Sequence, residues 1–223
     1  MADYGAIIDV NGNPFITPAS TPFCLYRKYT FQSSGDSAAH SVTQYLPFNS
    51  SYPVSVFIKT SAPGQGVAVI AYNITEGPNA GTIYINGTNY AGQSFTLTAY
   101  VFAIFPQNLP DWGMAIWDAK GDLVLTNESK VLSDLFTVNG RGIDIDSTYQ
   151  GSVAVCPAAL GALNVYQVQN GQQIIRSATA GVSCRYNGST TRINAVPLIN
   201  GTQASGGTTN GARVTAIYTA AYD

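Results

Sequence analysis

The amino-acid sequence predicts an all-β protein, an antiparallel β-sandwich or sandwiches with many short hairpins. Its 223 residues contain runs of β-branched and aromatic residues bounded by Gly, Pro or Ser, whereas helical periodicity is scarce. Asn-Gly, the dipeptide that best accepts the positive φ values of a tight hairpin turn, occurs seven times. Closely spaced strands joined by such turns indicate antiparallel sheets, because a parallel sheet would require crossover helices.

In chain order, the predicted strands and turns cover most of the sequence. Four long runs are typical of strands: residues 23–31, 52–60, 66–74 and 94–105. Three Asn-Gly pairs have strand-like flanks and predict hairpins, at Asn86, Asn170 and Asn187. Helical spacing over three turns is hard to find, and the best candidate for a helix is the short segment 127–136. A Gly-, Thr- and Ser-rich loop over 199–213 precedes a predicted final strand.

Two segments of the chain resemble each other. Residues 3–17 align with residues 111–126 when one extra residue is allowed in the second segment. Each contains an Asp-x-x-Gly sequence, typical of a hairpin turn in which Asp caps the first position and Gly takes a left-handed φ. We therefore expect two similar hairpins. Their structural turn residues are Asp9 and Gly12 in the first segment and Asp118 and Gly121 in the second.

The repeat favours a division into two halves. Residues 1–109 would form an N-terminal β domain and residues 110–223 a C-terminal β domain. Pro106 and Pro110 bracket a short polar stretch at this boundary. A single domain is the alternative, because a chain of this length fits either organisation.

The composition disfavours several classes of binding partner. Charged residues make up 10% of the chain, the net charge is -2, and no basic run is present, which disfavours nucleic acid and anionic membranes. No apolar stretch reaches the roughly 20 residues of a transmembrane helix. The first residues lack the pattern of a signal peptide, so we expect folding in a cytoplasm. A surface with so few charges favours burial in an assembly.

The residues that usually carry catalysis are sparse. His40 is the single histidine, and it is predicted to lie in a polar loop without a nucleophile motif around it. Asp144 and Asp146 would share one face of a strand, as two glycosidase carboxylates can, but such alternation is more typical of an exposed polar face. The three cysteines contain no CxxC pair, and pairing of Cys156 with Cys184 stays open. We therefore expect a protein that is not an enzyme, with no catalytic residue, cofactor or metal.

Binding is easier to support than catalysis. Fourteen Tyr and two Trp on a chain with few charges provide amphipathic faces for a sugar or a protein partner. The candidate interface residues are Trp112 and Trp117, which flank the second hairpin, and Tyr218 and Tyr222 near the end of the chain. The first and last strands are expected to be sheet edges that pair with another chain.

The same hairpin segments carry a resemblance to a known family. MADYGAIIDVNGNPFIT and especially WGMAIWDAKGDLVLTNESKVL resemble a Tyr-Gly-x-x-hydrophobic-x-Asp-x-x-Gly-x-hydrophobic-hydrophobic-x-Ser hairpin. That hairpin belongs to tail-tip and fibre-associated structural proteins of tailed bacteriophages, where it precedes or follows a β-sandwich. The resemblance implies a virion protein of the tail that folds in the host cytoplasm.

Resemblance and composition together predict a non-enzymatic structural component of a bacteriophage tail, at the tail tip, at the baseplate or associated with a fibre. Its expected partners are further copies of itself, as a trimer or another homo-oligomer, and other tail proteins. A contribution to host attachment through a surface glycan or protein is compatible with this role. The alternative is a carbohydrate-binding or adhesin module that acts directly on a cell surface.

Overall fold

The computed structural model describes residues 8–10, 13–16, 21–61, 66–118 and 120–223, and of the first two ranges it describes the backbone alone. Within these ranges the chain forms β-strands and one 3-10 helix, Gly142–Asp144, and no α-helix. The all-β prediction is therefore confirmed. The strands are β1 Ile8–Val10, β2 Asn13–Ile16, β3 Cys24–Gln32, β4 Ser34–Gly35, β5 His40–Pro47, β6 Val54–Ser61, β7 Ala68–Ile74, β8 Thr82–Asn89, β9 Thr96–Ala103, β10 Ala115–Trp117, β11 Leu123–Thr126, β12 Leu135–Thr137, β13 Asp146–Gln150, β14 Val153–Val155, β15 Ala159–Gln169, β16 Gln172–Tyr186, β17 Thr190–Pro197, β18 Thr202–Thr209 and β19 Thr215–Tyr218.

The strands form two layers with a shared core. In the front sheet the order is β3-β9-β6-β14-β19-β12, with the β6-β14 contact made by the pair Ile58–Val155. In the back sheet the order is β4-β5-β8-β7-β16-β17-β13, with the β7-β16 contact made by Val69–Val182. β15 pairs with the first part of β16 and carries β18 on its other side. One parallel pair, Thr60–Arg185, connects the two layers.

The core between the layers follows from strand alternation. Along β8, buried and half-buried residues alternate strictly, so that Ile83 and Ile85 point inward. They meet Leu97 and Ala99 of β9 and Val182 of β16 in one continuous apolar cluster. Strands such as β9 and β16 give this cluster every second residue. A shift of one residue in the register of either strand would therefore turn its apolar side chains out of the core.

A second apolar cluster covers the outer face of the front sheet. Phe57, Tyr100 and Phe102 point away from the main core and pack with Ile217 and Tyr222. The front sheet is therefore covered on both faces at β9, which explains the nearly continuous apolar run of that strand. β19 lies between β12 and β14, so the expectation that the last strand is a sheet edge is wrong.

The two predicted halves share one core. β6 and β7 from the first half pair with β14 and β16 from the second half. The main apolar cluster runs from Val42 to Ala216 across both halves. This corrects the proposed division into 1–109 and 110–223, because the stretch between Ala103 and Ala115 connects two parts of one sandwich rather than two separate cores.

The Asn-Gly predictions have different outcomes. Asn170 and Gly171 form the two-residue turn between β15 and β16 with φ of 51° and 76°, as predicted. The hairpin at Asn187 is also present, between β16 and β17. Asn86 and Gly87, however, lie inside β8, and a Cβ at Gly87 would be 2.7 Å from a side-chain carbon of Leu97, on β9 of the facing sheet. That glycine accommodates close packing instead of a turn.

The best helix candidate of the sequence, residues 127–136, does not form a helix. This stretch begins with a turn in which the Ser129 amide donates to the Thr126 carbonyl, and its end forms part of β12. The Ser129 hydroxyl lies 3.2 Å from the Thr126 hydroxyl, so short polar side chains compete here with helical backbone bonds. Over the described ranges, no helix is long and apolar enough to cross a membrane.

Candidate binding surfaces

The β10–β11 hairpin forms a two-stranded sheet of its own. Within the described part of the chain, neither strand pairs with a third strand. Its inner face is held by Ile116 and Leu125, which pack in a small apolar cluster with Cys24 of β3. The hairpin is therefore fixed to the rest of the chain through these side chains and through the Leu123 carbonyl of β11, which accepts the Gln107 amide at 2.9 Å, while no third strand covers β10 in the described part of the chain.

The turn of this hairpin agrees with the sequence prediction. The Gly121 amide donates to the Asp118 carbonyl at 3.1 Å, and the Asp118 amide donates to the Asp122 carbonyl at 2.9 Å. The Asp118 carboxylate accepts the Lys120 and Asp122 amides at 2.8 and 2.9 Å, and Gly121 has a φ of 89°. This is the three-residue loop with a left-handed glycine that the Asp-x-x-Gly sequence predicts.

The first hairpin has a different register. Asp9 lies in β1 opposite Pro14, and Val10 lies opposite Asn13, so that two residues connect the strands. An Asp9-to-Gly12 turn like the second one would place Asp9 opposite Asn13. The expected similarity of the two turns is corrected to this extent, and Gly12 lies outside the described residues.

Large apolar side chains are exposed on and beside the β10–β11 hairpin. Trp112 is 81% exposed and Trp117 is 52% exposed, and Leu109 and Met114 are also exposed. We call these four residues the hairpin patch. Exposed apolar side chains concentrated in one short segment are typical of a surface that contacts another protein, because exposing them to water is unfavourable.

A second aromatic surface lies on the outer face of the back sheet. Tyr45, Tyr84 and Tyr72 occupy neighbouring positions on β5, β8 and β7, where they are cross-strand partners. Ring centroids are 5.3 Å apart for Tyr45 and Tyr84 and 4.9 Å apart for Tyr84 and Tyr72. We call this the tyrosine row. Tyr45 and Tyr72 are about half exposed, so the row offers aromatic surface to a ligand or partner.

A cleft of about 1000 Å³ lies over the other half of the back sheet. Its floor contains Arg185 of β16 and Arg192 and Asn194 of β17, and its walls come from β15, from the loop after β8 and from the loop that leads into β18. Arg185 and Arg192 are cross-strand partners, and we call this site the arginine cleft. The size lies at the upper end of the roughly 300–1000 Å³ that is usual for small-molecule sites.

The two arginines of the cleft differ in their charge partners. Arg192 makes a two-pronged ion pair with Asp146, at 2.9 and 2.8 Å, and this hydrogen bond holds the pKa of Asp146 below its usual value. Arg185 makes no ion pair within the described ranges, and its Nε atom is buried without a hydrogen-bond partner there. Burial lowers the pKa of Arg185, but a guanidinium remains protonated at neutral pH.

The terminal tyrosines separate into two environments. Tyr218 is exposed and packs beside Phe136 with ring centroids 5.2 Å apart. Tyr222 is 2% exposed, and its hydroxyl donates to the Val131 carbonyl at 2.9 Å and accepts the Ser133 amide at 2.8 Å. The prediction of Tyr222 as an interface residue is corrected, because the ring completes the outer apolar cluster of its own chain.

The candidate catalytic residues do not come together. Asp144 lies in the 3-10 helix and Asp146 begins β13, so the two carboxylates do not alternate along one strand. Asp146 is paired with Arg192. His40 begins β5 instead of lying in a loop, with its Nδ1 3.4 Å from the Ser33 hydroxyl.

The three cysteines are free thiols. Cys184 packs in the core between the layers and Cys156 beside the outer apolar cluster, so strand alternation separates their side chains. Burial raises the pKa of Cys24 to about 11 and also raises that of Cys184. Thiols held protonated in this way are poor nucleophiles and serve here as apolar packing groups.

Sequence reasoning missed both the tyrosine row and the arginine cleft. The hairpin at Asn187 does imply that Arg185 and Arg192 face each other, because they stand at equal distances from the turn. The alignment of Tyr45, Tyr72 and Tyr84 requires the pairing order of three strands.

Comparison of the chain with protein-family models, with curated proteins and with solved structures gives no match.

Proposed function

We propose that this protein is a non-enzymatic structural component of a bacteriophage tail, at the tail tip, at the baseplate or associated with a fibre. It would act as a homo-oligomer or as a repeated subunit, contribute to host attachment and reside in the virion after folding in the host cytoplasm. The observation that carries the proposal is the hairpin patch, because it lies in the segment that resembles tail proteins.

The hairpin patch has the features of a surface through which subunits assemble. Trp112 and Trp117 are exposed together with Leu109 and Met114 within residues 109–117. Tryptophan is the residue type most enriched among the energetic centres of protein interfaces. No third strand pairs with β10 in the described part of the chain, so a strand of a neighbouring molecule can add to its outer edge, whereas β11 already accepts the Gln107 amide at its Leu123 carbonyl.

The experiment compares association of the full chain with that of two surface variants. We expect light scattering to show an oligomer for the wild type and dissociation for a Trp112→Ser and Trp117→Ser double variant. Val168→Ser is the matched control, because Val168 is 76% exposed on β15, outside the hairpin patch. A stable monomer at high concentration, together with virions that lack this polypeptide, would overturn the proposal.

The tyrosine row favours the second candidate, a carbohydrate-binding or adhesin module. Flat aromatic faces in a row stack against the apolar faces of sugar rings, and their hydroxyls remain available for hydrogen bonds. A glycan array separates the two candidates. Glycan binding by a monomer that Tyr72→Ala abolishes would support the module, whereas unchanged binding in that variant would rule out the row as its site.

A further inference from the structure

The arginine cleft has no role in the assembly proposed above. We propose that it is a binding site for an acidic sugar, in which Arg185 holds the carboxylate and Asn194 accepts a hydrogen bond from a sugar hydroxyl. The inference is independent of the proposed tail function, because it uses residues of the back sheet far along the chain from the hairpin patch.

Two buried polar atoms in the floor of the cleft lack hydrogen-bond partners. They are Nε of Arg185 and Oδ1 of Asn194, and no other buried side-chain nitrogen or oxygen in the described ranges is in this state. The Nδ2 group of Asn194 already donates a hydrogen bond to the Ala195 carbonyl at 2.9 Å. Its Oδ1 is therefore the side-chain atom that still lacks a hydrogen-bond partner. Leaving such groups unpaired is unfavourable, and the two residues that carry them line one cleft.

The charge in the cleft selects an anion. Asp146 neutralises Arg192, whereas within the described ranges nothing forms an ion pair with Arg185. One unpaired guanidinium therefore remains in a partly buried position, where water screens it less than at an open surface. A guanidinium binds a carboxylate through charge-assisted hydrogen bonds.

The demand for a donor distinguishes an acidic sugar from a bare anion. Oδ1 of Asn194 requires a hydrogen-bond donor, which a fully ionised inorganic anion does not have and a sugar hydroxyl does. The walls add Tyr90 and Tyr166 together with the amides of Gln167 and Gln203. Aromatic faces and amides around a single charge suit a polyhydroxylated ring with one carboxylate.

The test uses the full chain with glucuronate and N-acetylneuraminate as probes, and with glucose and inorganic sulfate as comparison ligands. Calorimetric titration should show binding of an acidic sugar and little binding of glucose, which lacks the charge, or of sulfate, which is fully ionised and lacks a hydrogen-bond donor. Arg185→Gln should weaken that binding about tenfold or more, because it removes a charge-assisted hydrogen bond. Arg176→Gln is the matched control, because Arg176 is an exposed arginine on the same strand and lies outside the cleft.

A second variant keeps the proposal testable if Arg185→Gln fails to fold. Asn194→Asp has nearly the same shape, but it places a carboxylate beside Arg185, so it should abolish binding of the acidic sugar. The proposal is overturned if neither acidic sugar binds, if glucose or sulfate binds as tightly, or if folded Asn194→Asp binds the acidic sugar like the wild type.

Discussion

Asp223 shows how one side chain connects distant parts of the chain. Its carboxylate accepts hydrogen bonds from the Lys28 ammonium at 2.9 Å, from Lys59 at 2.8 Å and from the Thr219 hydroxyl at 2.9 Å. The Tyr100 hydroxyl donates to the same group. Burial raises the pKa of Asp223, but the hydrogen bonds from Lys59, Tyr100 and Lys28 outweigh it, so the pKa lies well below the usual value.

This low pKa predicts a dependence of stability on acid. A carboxylate whose pKa is lowered in the folded state stabilises the fold above its unfolded pKa of about 4, and this stabilisation is lost as the pH falls toward the folded pKa. Asp223→Asn should therefore lower the free energy of unfolding by about 1 kcal/mol at pH 7. The effect is this small because the side chain is about one third exposed and solvent screens its charge. Urea unfolding should show the difference from the wild type shrinking between about pH 4 and pH 2.

Asp122→Asn, in the exposed turn of the β10–β11 hairpin, is the control for this series. It should leave the acid dependence of the wild type unchanged. A constant difference between wild type and Asp223→Asn over the acid range would show that the carboxylate charge does not contribute.

Gly121 gives a second prediction for a single residue. Its φ of 89° is unfavourable for a β-branched residue, and apart from its two chain neighbours no atom of the described residues lies within 4 Å of the place a Cβ would occupy, so the expected cost of substitution is conformational. Gly121→Val should destabilise the fold by about 1–3 kcal/mol, whereas Gly121→Asn should cost less, because Asn tolerates the left-handed region. Equal unfolding midpoints in urea for the two variants would contradict this explanation.

At the scale of elements, the segment after β19 has a structural role that the sequence pattern does not predict. It places the ring of Tyr222 against Phe102 with centroids 4.9 Å apart and against Tyr100 at 6.4 Å. It thereby covers the outer face of β9, which would otherwise expose aromatic side chains to water. A short irregular segment thus covers the outer face of the front sheet, as a third layer would.

Loss of the Tyr222 ring from this covering segment should strongly destabilise the fold. Tyr222→Ala should destabilise the fold by about 3–5 kcal/mol, because it removes a buried aromatic ring. Tyr222→Phe should cost about 1 kcal/mol, because it keeps the ring and removes the hydrogen bonds to Val131 and Ser133. Denaturant unfolding of the two variants measures both effects, and an unchanged stability of Tyr222→Ala would contradict the buried position.

At the scale of the whole molecule, the interleaving of the two halves governs folding. The front and back sheets each contain strands from before and after the stretch between Ala103 and Ala115. Neither half contains a complete layer, so each alone would expose the apolar residues that form the shared core.

This organisation predicts that the halves do not fold alone. Residues 110–223 expressed as a fragment should lack a cooperative unfolding transition, whereas the full chain should show one. Circular dichroism during heating measures this. A fragment with its own sharp transition would instead support two domains.

The sequence by itself determined the fold class, the turns at Asn170 and Gly121, and the low-charge surface. These properties depend on residues that are close along the chain: alternation sets a strand, and a residue that accepts positive φ sets a tight turn. Tertiary structure decided which strands are neighbours, and therefore that Gly87 packs in a strand, that Tyr222 is buried and that the halves share a core. It also decided the arginine cleft and the tyrosine row, because both combine residues far apart in the chain, and local pattern carries no information on strand order.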